Sequence, residues 1–408
     1  VWTVTRILLV AFTGVTALPH SVWDASAADL RLYQEWAELI VRQHTFPLAD
    51  EQWQYPPGAG ALLVVPWLFG GGAGYNWFFF GVVAVADAAV LGLLIRASGR
   101  GGGPRYEARC GAPSFAGPWV WTLGVALLGR VCYGRFDLVV AACAVAALLW
   151  AGRRPVAAGV AVAAGVLLKV WPVVAVLGLR WRELRRVGVA AGAAGVVLAG
   201  GVTLLGPGAW SFLRFQAQRG LQIESAAATP LLIARLVSGG WDIEHRFGAE
   251  ELSGPGVAGL ARVCVVAMVV GGVVVLAQWW RVRPPAADLA LAATLLAMVT
   301  SRVLSPQYVV WAVAVAAVCA LRSRTTQRPI VYLVLVAAFL SQVEFPFVYD
   351  RVATGSLPGV VVLTLRNAVL VGAAVWSVVR LRHGRSTGYG EARSSRGSAL
   401  PALSRSGT

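Results

Sequence analysis

Long apolar stretches dominate the chain. Runs without strong breaks fall at 4–18, 75–95, 118–132, 136–151, 155–168, 170–179, 187–206, 256–280, 286–300, 304–321, 329–348 and 358–379. About 20 apolar residues make one membrane crossing. The pattern therefore predicts an all-α polytopic membrane protein with about 12 transmembrane helices, in one multi-span domain over residues 1–380. Several runs are shorter than a full crossing. The first has Arg6 near its start and the small residues Ala25 to Ala28 beyond it. Because the chain that follows is apolar throughout, this run reads as an uncleaved signal-anchor rather than a removed leader. Ala59 to Phe69 is apolar too, but Tyr55-Pro56-Pro57 and Gly70-Gly71-Gly72 bracket it. It is too short to cross and is expected as an interfacial or re-entrant helix packed on the protein. Nothing repeats at a fixed period, and no inverted pair of broken helices stands out, which counts against a secondary transporter.

Composition narrows the class. Of 408 residues, 58% are hydrophobic and 13% charged, and the mean hydropathy is +0.69. Soluble domains carry about 25% charged residues, so soluble domains, disorder, a disulfide scaffold and a transmembrane β-barrel are all excluded. The net charge of +16 would suggest nucleic acid in a soluble protein. Here the cations follow the predicted loops instead. Arg96, Arg100, Arg105 and Arg109, then Arg153-Arg154, Arg180 to Arg186, Arg281 and Arg283, and Arg322 to Arg328 fall on one side if the spans alternate. That side is expected to be the cytoplasm of a multi-pass plasma-membrane protein. It also holds the basic tail, 381–408, which is poor in apolar residues and expected to be disordered. The external loops are 19–74 and 207–255. Within the first, residues 19–55 carry six acids against two arginines, a net of −4; the second carries five acids against four arginines, a net of −1. The positive charge is topology, and nucleic acid is not an expected partner.

Candidate chemistry sits on that outer side. The five cysteines show no CxxC spacing, and the four histidines form no HExxH cluster; neither a disulfide framework nor a metal site is signalled, and no metal is demanded. Lys169 is the one lysine among 35 basic residues, and it lies inside an apolar stretch before Trp171-Pro172. A buried ammonium persists only with a partner, for which a phosphate is the natural choice; snorkelling to an interface is the plain alternative. Asp24 and Asp29 follow the first run. Asp29 precedes the helical pattern Leu30, Tyr33, Trp36, Ala37, Ile40, so it reads either as a helix N-cap or as a general base with a raised pKa. Arg214, Arg219 and Glu224 lie in a segment where Arg and Gln interleave with aromatics. That suits phosphate and sugar contacts, or an amphipathic interface helix. Arg302, in Ser301-Arg302-Val303-Leu304-Ser305-Pro306-Gln307-Tyr308, is a lone external cation: a second phosphate ligand, or a cap on helix-end carbonyls. Arg130, Arg135 and Asp137 are expected to pair with one another. No P-loop, GxGxxG after a strand, GxSxG elbow or DxD is present, so the chemistry is expected to use a lipid-borne substrate.

Four stretches in order give the chain a family likeness: Asp29-Leu30-Arg31-Leu32-Tyr33 with Trp36; Tyr55-Pro56-Pro57 with Pro66; Leu168-Lys169-Val170-Trp171-Pro172; and Arg302 through Ser305-Pro306-Gln307-Tyr308 with Trp311. With the loop Arg219 to Pro230, they resemble the integral-membrane glycosyltransferases of the GT-C superfamily. The nearest likeness is to glycosyltransferase family 87, the polyprenyl-phosphate-mannose-dependent α-mannosyltransferases of actinobacteria. The likeness covers residues 20 to 312. One departure stands out: many members have a Gly-Gln-x-Asn-like start to the fourth span, where this chain has Gly134-Arg135-Phe136-Asp137. No role is inherited there.

The resemblance implies transfer of a mannosyl residue from polyprenyl-phosphate-mannose to a hydroxyl-bearing acceptor outside the membrane, with inversion and without a cofactor. The acceptor would be a glycolipid, a lipoglycan or a secreted natural product of the cell envelope. Asp29 would be the general base, with Asp24 the alternative. Lys169, Arg302 and Arg219 would hold the donor phosphate, an electrostatic contribution of the oxyanion-hole kind. Tyr33, Tyr55, Glu224, Gln307 and Tyr308 would line the substrate site. Two rivals use the same residues differently. A lipid-linked-sugar flippase or exporter would bind the phosphate without chemistry, and a glycan ligase or polymerase would take a diphosphate-linked donor.

Overall fold

The computed structural model of the chain describes residues 1–15, 24–99, 114–323 and 325–383. Most of the apolar runs become helices. They are α1 (Trp2–Val15), α2 (Asp24–Gln43), α3 (Gly58–Gly99), α4 (Ala116–Leu128), α5 (Asp137–Trp150), α6 (Pro155–Leu168), α7 (Trp181–Thr203) and α8 (Phe212–Gln218). After them come α9 (Thr229–Ser238), α10 (Val257–Arg281), α11 (Ala286–Thr300), α12 (Val309–Ala320), α13 (Arg328–Gln342), α14 (Tyr349–Ala353) and α15 (Leu357–His383). Among the described residues five helical segments are long and apolar enough to cross a membrane: α3, α7, α10, α13 with the turn that follows it, and α15. The expectation of about twelve spans is not met by length alone. The runs that became α5, α6, α11 and α12 are only 12 to 15 residues long. Of these, α12 lies deepest: every one of its residues except Trp311 is buried.

Three local expectations change. Ala59 to Phe69 is helical and packs on the protein through Ala59, Gly60, Leu63 and Pro66, but it runs on into the next span as α3. Only Gly71 breaks the helix, with φ 52° and ψ −156°, a conformation that a side chain at that position would resist. The run 170–179 is not an α-helix. Pro172 cannot supply a backbone N–H to one, and a 3-10 segment over Trp171–Val176 takes its place. It carries the chain from the Asp137 end of the bundle to the opposite end, where Trp279 Nε1 donates to the Leu179 carbonyl at 3.1 Å. Asp29 lies inside α2 rather than capping it, because Ala25, Ala27 and Ala28 favour extension of the helix upstream.

The second long loop also holds strands that an all-helical reading did not foresee. β1 (Leu221–Gln222), β2 (Asp242–Arg246) and β3 (Ala249–Ser253) form an antiparallel sheet in the order β1-β3-β2. Gln222 stands opposite Glu251. Phe247 and Gly248, both at positive φ, make the two-residue turn between β2 and β3, the backbone geometry such hairpins favour.

A buried carboxylate fastens α1. Asp87 on α3 is fully buried and accepts from Arg6 Nε at 2.7 Å, Trp121 Nε1 at 2.7 Å, Tyr133 OH at 2.8 Å and Trp2 Nε1 at 3.1 Å. Removing a partner from a buried charge so fully paired is costly, because it leaves the charge uncompensated. Helix α15 runs to His383, two residues past the expected start of the tail. The rest of that tail, and Cys110, lie outside the described residues.

Candidate active site

Asp29, Tyr33 and Trp36 recur at helical spacing, so one face of α2 presents all three. The face is fixed by aromatic packing. Tyr33 lies 5.7 Å from Phe136 and 6.2 Å from Tyr55 between ring centroids, and the Tyr33 and Tyr55 hydroxyls are 3.3 Å apart. Trp36 donates Nε1 to Asp50 at 2.7 Å and meets Trp53 edge-on. This wall points Asp29 at Arg135, with which its carboxylate forms an ion pair. Burial raises the Asp29 carboxyl above its ordinary range, against the opposing pull of Arg135 and Lys169. Its side chain keeps 19% exposure. Asp24 opens the same helix, and its side chain lies outside the described residues.

Two residues beyond Arg135, Asp137 begins α5, where the helix N-terminus favours a carboxylate. Both its oxygens accept from Lys169 Nζ at 2.8 Å. Trp311 Nε1 donates to the same carboxylate at 2.8 Å. Lys169 adopts an extended backbone at the end of α6, with φ −155° and ψ 135°, which turns its side chain out of the helix. Its ammonium sits in an aromatic box, 4.9 Å from the centre of the Tyr308 ring, 5.0 Å from Phe136, 5.4 Å from Tyr55 and 5.6 Å from Trp311. Ring faces attract a desolvated cation. Trp311 is stacked between Tyr308 and Trp171, at 4.2 and 4.9 Å, and so is held rigid. Close contact brings the preceding loop to this point: a side-chain carbon on Gly58 would fall 2.7 Å from the Leu167 carbonyl oxygen. The Tyr55-Pro56-Pro57 corner thus abuts the chain just before Lys169.

Of the expected pairing among Arg130, Arg135 and Asp137, the last two find other partners. Arg135 goes to Asp29, and Asp137 goes to Lys169. Two short-range pairs therefore link three segments far apart in sequence, which spacing alone does not reveal. The lysine has a carboxylate partner within the protein, and a phosphate approaching it would share that cation with Asp137.

Arg219 follows α8 and donates Nε to Glu251 Oε1 at 3.1 Å, while the Gly220 N–H donates to the other oxygen of that carboxylate at 3.1 Å. Its Nη2 is buried without a hydrogen-bond partner. Arg302 acts on the backbone, donating to the Arg219 carbonyl at 2.9 Å and the Gln216 carbonyl at 3.2 Å. In this structure it caps carbonyls at the C-terminal end of α8. Gln222 ties this loop to the Ser301–Ser305 segment: its side-chain oxygen accepts from the Leu304 N–H at 3.0 Å, and its Nε2 donates to Ser305 Oγ at 3.2 Å.

These groups face one cavity of about 640 Å³. Asp29, Tyr33, Tyr55, Lys169, Arg219, Glu224, Gln307 and Tyr308 all line it, together with Arg135. Arg302 does not. One side of the cavity is apolar, built by Val170, Val173 and Val174 from the broken segment and by Met268, Ala297 and Met298 from α10 and α11. A non-helical backbone at this depth is tolerated because it borders the cavity and the protein. Each cation of the polar side is paired with a carboxylate: Arg135 with Asp29, Lys169 with Asp137 and Arg219 with Glu251. Together the parts offer a carboxylate base, fixed cations, hydroxyl-bearing aromatics and an apolar slot.

Sequence reasoning missed Glu344 and Arg366, which form a fully buried ion pair behind Glu224. Each is a lone charge inside an apolar run, the same signal that singled out Lys169. The chain matches glycosyltransferase family 87 over residues 53–306. No curated protein and no solved structure matches it.

Proposed function

This chain belongs to glycosyltransferase family 87, and from that premise we propose that the cavity transfers a mannosyl group from polyprenyl-phosphate-mannose to an acceptor hydroxyl outside the membrane. That the protein is a membrane glycosyltransferase follows from the family and the apolar helices; the carrier, the sugar and the outer face rest on the likeness of its motifs and on its charge pattern. One observation carries the reading. A single cavity joins the Asp29–Arg135 pair, the Lys169–Asp137 pair and Arg219 to an apolar slot. A lipid phosphate with a sugar attached needs this combination.

In the proposed reaction the prenyl chain lies along Val173, Val174 and Met298, and its phosphate sits among Lys169, Arg219 and Arg135. The acceptor oxygen attacks the anomeric carbon from the side opposite the phosphate, and its proton passes to Asp29. The bond from the anomeric carbon to the phosphate oxygen breaks, and the electron pair leaves with the carrier phosphate. The configuration inverts. A raised carboxyl pKa suits Asp29 to this proton transfer near neutral pH. The charge that grows on the phosphate is met by cations already in place, which need no reorganisation during the step. Phosphate is a good leaving group, so the scheme includes no general acid.

The test compares carriers. Purified protein in nanodiscs is supplied with radiolabelled polyprenyl-phosphate-mannose or polyprenyl-diphosphate-mannose and an envelope glycolipid extract. The reading expects labelled product from the monophosphate carrier and little from the diphosphate. Preference for the diphosphate would favour a ligase or polymerase. Binding of the monophosphate carrier, with flipping but no product, would favour a flippase.

A further inference from the structure

Behind the wall of the cavity, one arginine holds the carboxylate of Glu344 and the backbone carbonyl of Glu224. Glu224 follows β1, and Glu344 lies in the π turn Val343–Phe347 that ends α13. Glu224 is 3% exposed, and Glu344 and Arg366 are fully buried. Arg366 Nη2 donates to Glu344 Oε1 at 3.2 Å and to the Glu224 backbone carbonyl at 2.6 Å. Asn367, next on α15, donates to Thr229 Oγ1 at 2.8 Å and to the carbonyls of Glu224 and Ser225 at 3.3 Å. The backbone at Glu224 is thus held from below. Its side chain is not: Oε2 accepts from Gln222 Nε2, while Oε1, like Glu344 Oε2, has no donor partner. Of the trio, only Glu224 reaches the cavity.

We propose that Glu224, backed by Glu344 and Arg366, binds two adjacent hydroxyls of the donor sugar and so selects the glycosyl group transferred. Two carboxyls against one arginine leave the cluster neutral when they share a single proton, because two charges of like sign this close cannot both persist in a buried site. Burial and the neighbouring Glu344 raise Glu224 well above the ordinary carboxylate range. With that proton on Glu224, its unpartnered Oε1 can donate to one hydroxyl and accept from the next, which matches a vicinal diol better than an ionised carboxylate does. Phe345 and Tyr349 line the cavity beside it, with rings 5.1 Å apart and nearly perpendicular, and offer an apolar face to the sugar ring. Gln222 couples Glu224 to the Ser301–Ser305 segment, which continues from α11, the helix that builds part of the apolar slot. The sugar subsite and the tail slot are thereby joined through one short connection.

This inference rests on the lipid-phosphate donor reading, and its test separates the two. The measured quantity is the affinity of purified wild type, Glu224→Gln and Glu344→Gln for polyprenyl-phosphate-mannose and for bare polyprenyl phosphate. Wild type is expected to bind the glycosylated carrier more tightly, and both variants to lose roughly tenfold of that preference, about one hydrogen bond to a charged group. Their affinity for bare carrier should stay within about twofold of wild type, a change small beside one hydrogen bond. Retention of the preference in Glu224→Gln overturns the subsite and leaves the donor reading standing. Failure of wild type to bind either carrier overturns both. Carriers bearing singly deoxygenated mannose need no variant: wild type should lose the preference on removal of either of two adjacent hydroxyls, and indifference to every position overturns the proposal.

Discussion

Lys169 and Asp137 are each more expensive alone than together. Both are buried, and the ammonium meets both carboxylate oxygens. Removing one partner strands the other, at a cost of about 3–5 kcal/mol. Lys169→Met and Asp137→Asn should therefore each lower the melting temperature in detergent, whereas Lys169→Met combined with Asp137→Leu should recover much of the loss without recovering activity. A double variant less stable than either single one would contradict the pairing. At Asp29 the prediction concerns pH. In the proposed reaction the ionised carboxylate is the base, so kcat/KM should rise with pH through the Asp29 pKa. Burial places that limb above the ordinary aspartate value of about 3.9. Arg135 and Lys169 favour the ionised form, so Arg135→Gln should move the limb to higher pH. A limb that stays in place, or moves down, would show that another group sets it.

The elements that position these residues are short, interrupted and held by side chains rather than by regular ladders. Arg302 shows this. A second phosphate ligand and a helix-end cap were the two readings of its sequence, and its guanidinium spans two carbonyls at the end of α8. Arg302→Lys keeps the charge but cannot reproduce a planar fork. It is expected to raise the KM for donor several-fold with a smaller change in kcat; full retention of wild-type kinetics would show that charge alone suffices there and would favour the phosphate role. Element boundaries were legible wherever an apolar run was long and unbroken, as in α10 and α15. They were obscured where one residue redirects the chain. Pro172 turned a supposed span into a 3-10 segment, and the alanines before Asp29 lengthened α2 past the expected cap. The strands around Phe247 and Gly248 went unseen because Asp242 to Arg246 is almost entirely polar and exposed, so it carries no buried face for alternation to mark.

Across the whole molecule, buried charges mark where distant segments meet. Asp87 gathers α1, α4 and the segment after it; Asp137 gathers α5, the end of α6 and α12; Arg366 ties α15 to the Glu224 loop and to the turn after α13. Composition alone announced a helical membrane protein, and the order of motifs announced its family. The cations and acids of the site were also visible one by one, because each is rare in its surroundings. Their partners were not, since ion pairs such as Asp29–Arg135 join residues whose separation in sequence has no periodic signature. The central claim is that this cavity carries out glycosyl transfer with Asp29 as base. Its most direct test is a single-turnover assay of labelled polyprenyl-phosphate-mannose in nanodiscs, comparing wild type with Asp29→Asn, after both have been shown to bind the carrier equally. The account predicts that Asp29→Asn loses transfer by about 10²-fold or more, the usual contribution of a positioned base. Transfer at the wild-type rate by Asp29→Asn would contradict it.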